Sequence, residues 1–228
     1  MTSLQKASVA KQSAAPRRES LRVLQKKETL QLLIKAANHL FLKKGYANTT
    51  IEEIAARAGA SRATFYLHFA RKWQVLRHIA EETVLPESLA YYRRLDEMGV
   101  PSREELREWL IDAISFFERH RKFLDVYREA KSIEPEIGRH NIEFLRRCVD
   151  QMPKYLARWG AERGAYAKLR LNMLTIQLDD AANLAMNGDP EVSRELVAEA
   201  LLEYWSVGLQ APCAKAGSAP ILAAATPA

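Results

Sequence analysis

The 228-residue chain predicts an all-α fold of about nine helices, a small N-terminal helical domain followed by a larger one. Three observations carry that expectation. Apolar residues recur three and four apart along most of the chain, and no stretch alternates as a strand would. Two capping boxes, Thr50 with Glu53 and Ser102 with Glu105, open helices at well-separated places. Charge is also divided: residues 1–78 hold 15 Lys and Arg against 4 Asp and Glu, a net of +11, whereas residues 79–228 hold 19 against 24, a net of −5.

Residues 1–22 are polar and basic and contain Pro16, which predicts a flexible arm. Its Lys6, Lys11, Arg17, Arg18 and Arg22 could follow a phosphate backbone or reach into a minor groove, or form no more than a solvated tail. A first helix is expected over residues 24–44, with Leu30, Ile34, Ala37 and Phe41 on one face and Gly45 closing it. The next helix starts at the Thr50 cap, buries Ile51, Ile54, Ala55 and Ala58, and ends at Gly59. Ser61 then caps a short helix over residues 62–68, anchored inward by Phe65 and Phe69. Its remaining face offers Arg62, Thr64, Tyr66 and His68, a set suited to nucleic acid. Two core helices around a glycine turn would share the turn but have no need of that polar, basic face. The pair is therefore expected to be a helix-turn-helix whose second helix enters a major groove of double-stranded DNA. The basic excess of the same region supplies the electrostatic half of such a surface.

Beyond it, a fourth helix should run over residues 72–85, ended or kinked by Pro86. The Ser102 cap opens a helix through Trp109, Ile114 and Phe117, and residues 123–131 read as a separate short one. Pro135 suits the first turn of a long helix through Ile142, Leu145 and Val149, with Pro153 as a kink. Two final helices are expected over residues 165–186 and 190–209, divided by Asn187-Gly188 and Asp189-Pro190. Residues 211–228, rich in Ala and Pro, are expected to be a disordered tail. The domain scheme is thus 1–22 arm, 23–78 DNA-binding domain, 79–210 larger helical domain, and 211–228 tail.

Residues 33–76, LIKAANHLFLKKGYANTTIEEIAARAGASRATFYLHFARKWQVL, resemble the N-terminal domain of TetR-type transcriptional regulators. The marks are Gly45-Tyr46, Thr49-Thr50, Ile54-Ala55, Ala58-Gly59, Thr64-Phe65-Tyr66, His68-Phe69 and Lys72. Two positions depart from the commonest pattern: Ala63 stands where Gly is frequent, and Trp73 where an acidic residue usually sits. The resemblance implies that Tyr66, His68 and Lys72 hold phosphates, with Thr49 and Thr50 doing likewise. Arg62 can pair bidentately with guanine, Thr64 can meet a base edge or a thymine methyl, and Ala63 permits close approach. The resemblance also implies a homodimer joined through the last two helices. Their stripes, Leu169, Met173, Ile176, Ala181, Leu184 and Ala185, then Val192, Leu196, Ala200, Leu201, Tyr204 and Trp205, are wide enough to face both a core and a partner.

A small-molecule pocket among the middle helices is a further implication. Trp109, Phe116, Phe117, Phe123, Tyr127, Phe144 and Cys148 would suit an apolar or aromatic effector, though each also suits an ordinary core. Gln177 and Asp180 lie three apart on one face of the penultimate helix and could meet a ligand, a partner subunit or solvent. Neither a cofactor nor a metal is expected: Cys148 and Cys213 are unpatterned, and the five histidines lack ligand spacing. No catalytic motif appears, so an enzyme is not expected. Without a signal segment or an apolar run of about 18 residues, the chain reads as a cytoplasmic protein with no membrane partner. The expected function is a ligand-released repressor at a palindromic operator. The alternatives are an activator of the same fold and a DNA-organising protein of weak sequence choice.

Overall fold

The computed structural model describes residues 14–186 and 191–211, with side chains from residue 21 onward. Among these residues there are nine α-helices and no strand. They are α1 (Ala14–Lys44), α2 (Ile51–Arg57), α3 (Arg62–Tyr66), α4 (Lys72–Thr83), α5 (Leu85–Glu97), α6 (Arg103–Ile133), α7 (Pro135–Asp150), α8 (Pro153–Met186) and α9 (Arg194–Gly208). The chain divides into two compact units: residues 1–90 with 115–147, and residues 91–114 with 148–228. Helices α5, α6 and α7 each contribute residues to both.

The first unit is built on the helix-turn-helix. The core of α1 is Leu33, Ile34, Ala37 and Phe41, and it is joined by Tyr46, Ile54, Phe65, Val75, Leu76 and Ile79. Helix α1 begins ten residues before the expected Leu24, so residues 14–22 of the expected arm lie in it; residues 1–13 lie outside the described residues. Gly45 closes it at φ +84°, where a left-handed residue is needed. The Thr50 box forms as expected: Glu53 N–H donates to Thr50 Oγ1 at 3.2 Å, and Thr50 N–H donates to Glu53 Oε2 at 2.9 Å. Helix α2 ends in a Schellman motif, with Ala60 N–H on the Ala55 carbonyl at 2.9 Å and Gly59 N–H on Ala56 at 3.1 Å. Gly59 takes φ +68° to make it. Helix α4 stops at Thr83 and Pro86 stands in the first turn of α5, a helix the sequence patterning does not announce.

Further expected boundaries differ in the middle of the chain. Helix α6 runs unbroken from its Ser102–Glu105 box to Ile133, because Ala113, Phe116, Phe123, Val126 and Ala130 keep one buried face across the polar stretch 118–122. Pro153 does not kink α7, which ends at Asp150; it opens α8 instead. Helix α8 therefore starts twelve residues before the expected 165, and its single break is at Gly160, φ 69° and ψ 168°.

In the second unit the first turn of α8 is capped from a distance. Buried Asp96 of α5 accepts Lys154 N–H at 3.0 Å and Tyr155 N–H at 2.8 Å, supplying negative charge where the helix dipole favours it. Helix α9 begins at Arg194 rather than 190, with Ser193 Oγ accepting Leu196 N–H at 3.1 Å; residues 187–190 and 212–228 lie outside the described residues. The carbonyls that end α9 are met by arginines of α8: Arg170 donates to Val207 and Gly208, and Arg158 to Leu209. Between the two helices, Leu174 occupies the space a side chain at Gly208 would need. Trp109 and Trp205, both buried, meet at a tilt of 40° with ring centroids 5.0 Å apart.

Candidate nucleic-acid interface

Helix α3 is held from beneath and presented outward. Phe65 is fully buried and Phe69 nearly so, their rings 5.8 Å apart, which turns Arg62, Ala63 and Tyr66 to solvent. Ser61 caps the helix by accepting Thr64 N–H at 3.0 Å, and its hydroxyl also lies 2.9 Å from Thr64 Oγ1. Thr64 is half-buried as a result, its hydroxyl already partnered. Thr50 stands exposed at the mouth of α2.

Arg62 does not stand free. Its Nη1 lies 2.8 Å from Glu52 Oε1, its Nη2 donates to the Tyr66 hydroxyl at 3.4 Å, and its guanidinium sits 5.6 Å from the Tyr66 ring centre. These contacts, the Tyr66 hydrogen bond first, raise its already high pKa. Glu52 had no part in the sequence reading; its place, ten residues before Arg62 across the Gly59 turn, is a consequence of the motif's tight bend.

His68 is partly buried. Its pKa is lowered, first by that burial and then by the positive charge of Lys26, so the ring is neutral near pH 7. It can still donate one hydrogen bond to a phosphate.

Two residues expected on DNA are engaged within the fold. Thr49 is 1% exposed and its hydroxyl donates to the Gly45 carbonyl at 2.7 Å. Lys72 Nζ donates to the Tyr46 carbonyl at 2.7 Å and the Thr49 carbonyl at 2.8 Å, and lies 4.0 Å from the Tyr46 ring centre. Burial lowers its pKa, and nearby Glu134 and Glu129 oppose that. At most one ammonium proton of Lys72 is left for a phosphate.

The residues nominated for an effector separate between the two units. In the first, Phe116 and Phe117 meet at 5.4 Å and Phe123 and Tyr127 at 6.3 Å, while Phe144 is half-buried. The Tyr127 hydroxyl lies 2.8 Å from His140 Nδ1, whose other nitrogen faces Glu81 at 3.4 Å. In the second, Trp109 donates its indole N–H to the Tyr91 carbonyl at 2.9 Å and belongs to the core, as does the buried side chain of Cys148. Gln177 is half-buried and Asp180 exposed. Among the described residues no group of three His, Cys, Asp or Glu side chains gathers as a metal site would require. No described helix is long and apolar enough to cross a membrane.

Comparison with known proteins places the helix-turn-helix among regulators. Residues 33–79 match the family model for bacterial regulatory proteins of the tetR family. The chain is 36% identical over 111 residues to the uncharacterised HTH-type transcriptional regulator YerO of Bacillus subtilis (strain 168), a match covering 48% of this chain and 38% of YerO. The chain thus spans well under half the length of that relative. It is 23% identical over 181 residues to the HTH-type transcriptional activator FasR of Mycolicibacterium smegmatis, covering 78% of this chain and 81% of FasR. Among solved structures, the complex of SmeT with triclosan superposes with a TM-score of 0.58 at 23% identity, covering 84% of this chain and 99% of that one. SmeT is the repressor of the Stenotrophomonas maltophilia multidrug efflux pump SmeDEF.

Proposed function

We propose that this protein, whose residues 33–79 match the family model for bacterial regulatory proteins of the tetR family, is a cytoplasmic, homodimeric, sequence-specific DNA-binding regulator. A small apolar or aromatic effector releases it from a palindromic operator. The observation that carries the reading is the outward face of α3, where Arg62, Ala63 and Tyr66 stand exposed on a helix anchored by two phenylalanines, in a domain of strongly positive charge. Arg62 and Thr64 choose bases; Thr50, Tyr66 and His68 hold phosphates and set register, with Lys72 contributing its remaining proton. Thr49 serves the site from within, by closing α1.

A single recognition helix reads few base pairs, and a two-fold pair reads two half-sites. Support for the pair comes from a second apolar face. Helix α8 turns Leu171, Leu174, Leu178 and Ala182 inward yet leaves Tyr166, Leu169, Met173, Ile176 and Leu184 between 47% and 63% exposed. Helix α9 likewise buries Val197, Leu201 and Trp205 and exposes Leu196, Tyr204 and Val207. Large apolar side chains left exposed on two helices that pack together suit an interface. The domain scheme proposed is therefore DNA reading by residues 23–78 and effector binding with dimerisation by residues 79–210. Aromatic density along α6 and the triclosan bound by SmeT favour an aromatic effector. The effector displaces DNA to the extent that it binds the non-reading conformation more tightly.

Repression is the proposed sign of action; that FasR is an activator favours activation as the second reading. Selection from a random duplex pool, footprinting of the winner, and a screen of aromatic compounds for release test the whole reading. One short protected palindrome, lost on adding a compound, is the expected outcome. Uniform, salt-sensitive coating of any duplex would instead identify a DNA-organising protein.

A further inference from the structure

The turn joining α1 to α2 is tied down by carboxylates from a distant part of the chain. Glu129, near the end of α6, accepts Tyr46 N–H on Oε2 at 2.7 Å and Ala47 N–H on Oε1 at 3.1 Å. Glu134, just past α6, accepts the Tyr46 hydroxyl at 2.8 Å. From the opposite direction Lys72 takes the carbonyls of Tyr46 and Thr49, and Thr49 takes that of Gly45. Much of the turn's backbone polarity is thus met by side chains, beside two backbone bonds, Thr49 N–H on the Tyr46 carbonyl at 3.2 Å and Gly45 N–H on Phe41 at 2.9 Å. The fit is close: a Cβ on Gly45 would stand 2.8 Å from Glu129 Oε2 and would push the carboxylate from its place. Tyr46 is 1% exposed, and burial, followed by its Glu134 hydrogen bond, raises its phenol pKa.

Two adjacent N–H groups facing one carboxylate make a bidentate, charge-assisted contact, which fixes direction as well as distance. The turn leads straight into Thr50, the cap of α2, and through the tight Gly59 bend to α3. Whatever sets residues 45–49 therefore sets the entry angle of the reading helix. Two acidic groups are otherwise out of place in a unit that must approach phosphate.

We propose that Glu129, assisted by Glu134, is a positioning residue for DNA reading, acting through the backbone of the α1–α2 turn and never touching DNA. The inference rests on the DNA-reading function proposed above. Its test uses the full chain and the duplex that it selects from a random pool, with a scrambled duplex beside it. Glu129→Gln, Glu129→Ala and Tyr46→Phe are compared for affinity on both duplexes and for hydrogen exchange at the Tyr46, Ala47 and Phe41 amides. Glu129→Ala should lose about tenfold or more on the selected duplex and clearly less on the scrambled one, with exchange quickened at Tyr46 and Ala47 but not at Phe41. Glu129→Gln keeps one acceptor oxygen and should fall between. A merely structural role would lower the competent fraction and weaken both duplexes equally, and that result overturns the proposal. So does unchanged affinity in a variant whose two amides exchange freely. If Glu129→Ala does not fold, Glu129→Gln and Tyr46→Phe decide by the same ratio of duplexes. A parent chain that selects no duplex overturns the DNA-reading function itself, a result distinct from either of these.

Discussion

Glu52→Gln should tighten DNA binding. Arg62 can reach a guanine only by leaving Glu52, 2.8 Å away, and both partners are well exposed, at 62% and 54% of their side-chain surface. An exposed ion pair of this kind changes an equilibrium by a factor of about 1.4 to about 5. In the proposed symmetric dimer two recognition helices act together, so the gain should fall between about twofold and about 25-fold. Glutamine keeps the length and much of the helix preference of Glu52 within the first turn of α2, so the fold is little disturbed. Fluorescence anisotropy on the selected duplex at about 0.15 M salt, where exposed charges beyond roughly 8 Å are screened, is a suitable assay. Removing an acidic group near DNA also lessens general repulsion, so the same change is made on an Arg62→Ala background. If the gain survives there undiminished, the effect is unspecific charge and release of Arg62 is not its cause. If Glu52→Gln weakens binding, Glu52 holds Arg62 in its reading pose, and the reasoning fails outright.

Three other outcomes are expected. Gly208→Ala places a Cβ 2.7 Å from Leu174 Cδ1 and 3.2 Å from its Cγ, and should destabilise the α8–α9 packing by about 1–3 kcal/mol despite alanine's helix preference, read as a lowered unfolding midpoint. Met173→Glu with Leu184→Glu, on the exposed face of α8, should yield a folded monomer by light scattering with operator affinity lost; a dimer that persists refutes the assigned face. His140, held chiefly by burial below the ordinary histidine pKa of about 6.5, is neutral in the fold and protonated more readily when unfolded. Stability that it contributes is thus present above about pH 6.5 and lost as pH falls toward its folded pKa, with a slope of at most about 1.4 kcal/mol per unit. The pH dependence of thermal unfolding in His140→Gln should be flatter over that window than in the parent.

The local part of the fold is legible along the chain because its signals are local. Thr50, Glu53, Gly59 and Ser61 act on neighbours within a few residues, so their caps could be read directly and form as read. The same reasoning divided α6 wrongly, because the polar run 118–122 masks a buried face whose repeat continues on either side. It missed α5, whose start lies beneath a proline that reads as a stop. The outward residues of α3 could be named from spacing alone. Glu52, Glu129 and Glu134 could not, since a carboxylate's partner across a turn, or more than 80 residues away, leaves no periodic trace. Thr49 and Lys72 show the converse: residue types suited to phosphate serve backbone carbonyls once the turn folds onto them.

The bond from Asp96 to the start of α8 orders events during synthesis. Its carboxylate leaves the ribosome 58 residues before Lys154, the first amide it will accept, and until then a group destined for the interior stays hydrated. The second unit, assembled from residues 91–114 and 148–228, therefore cannot close until most of the chain exists. Residues 33–79 are contiguous, but the unit they belong to takes in residues 115–147, and the carboxylates that hold the α1–α2 turn are those of Glu129 and Glu134. A nascent chain therefore gains the contacts that fix the turn leading into α2 only once residue 134 has emerged, still ahead of α8 and α9, which complete the second unit.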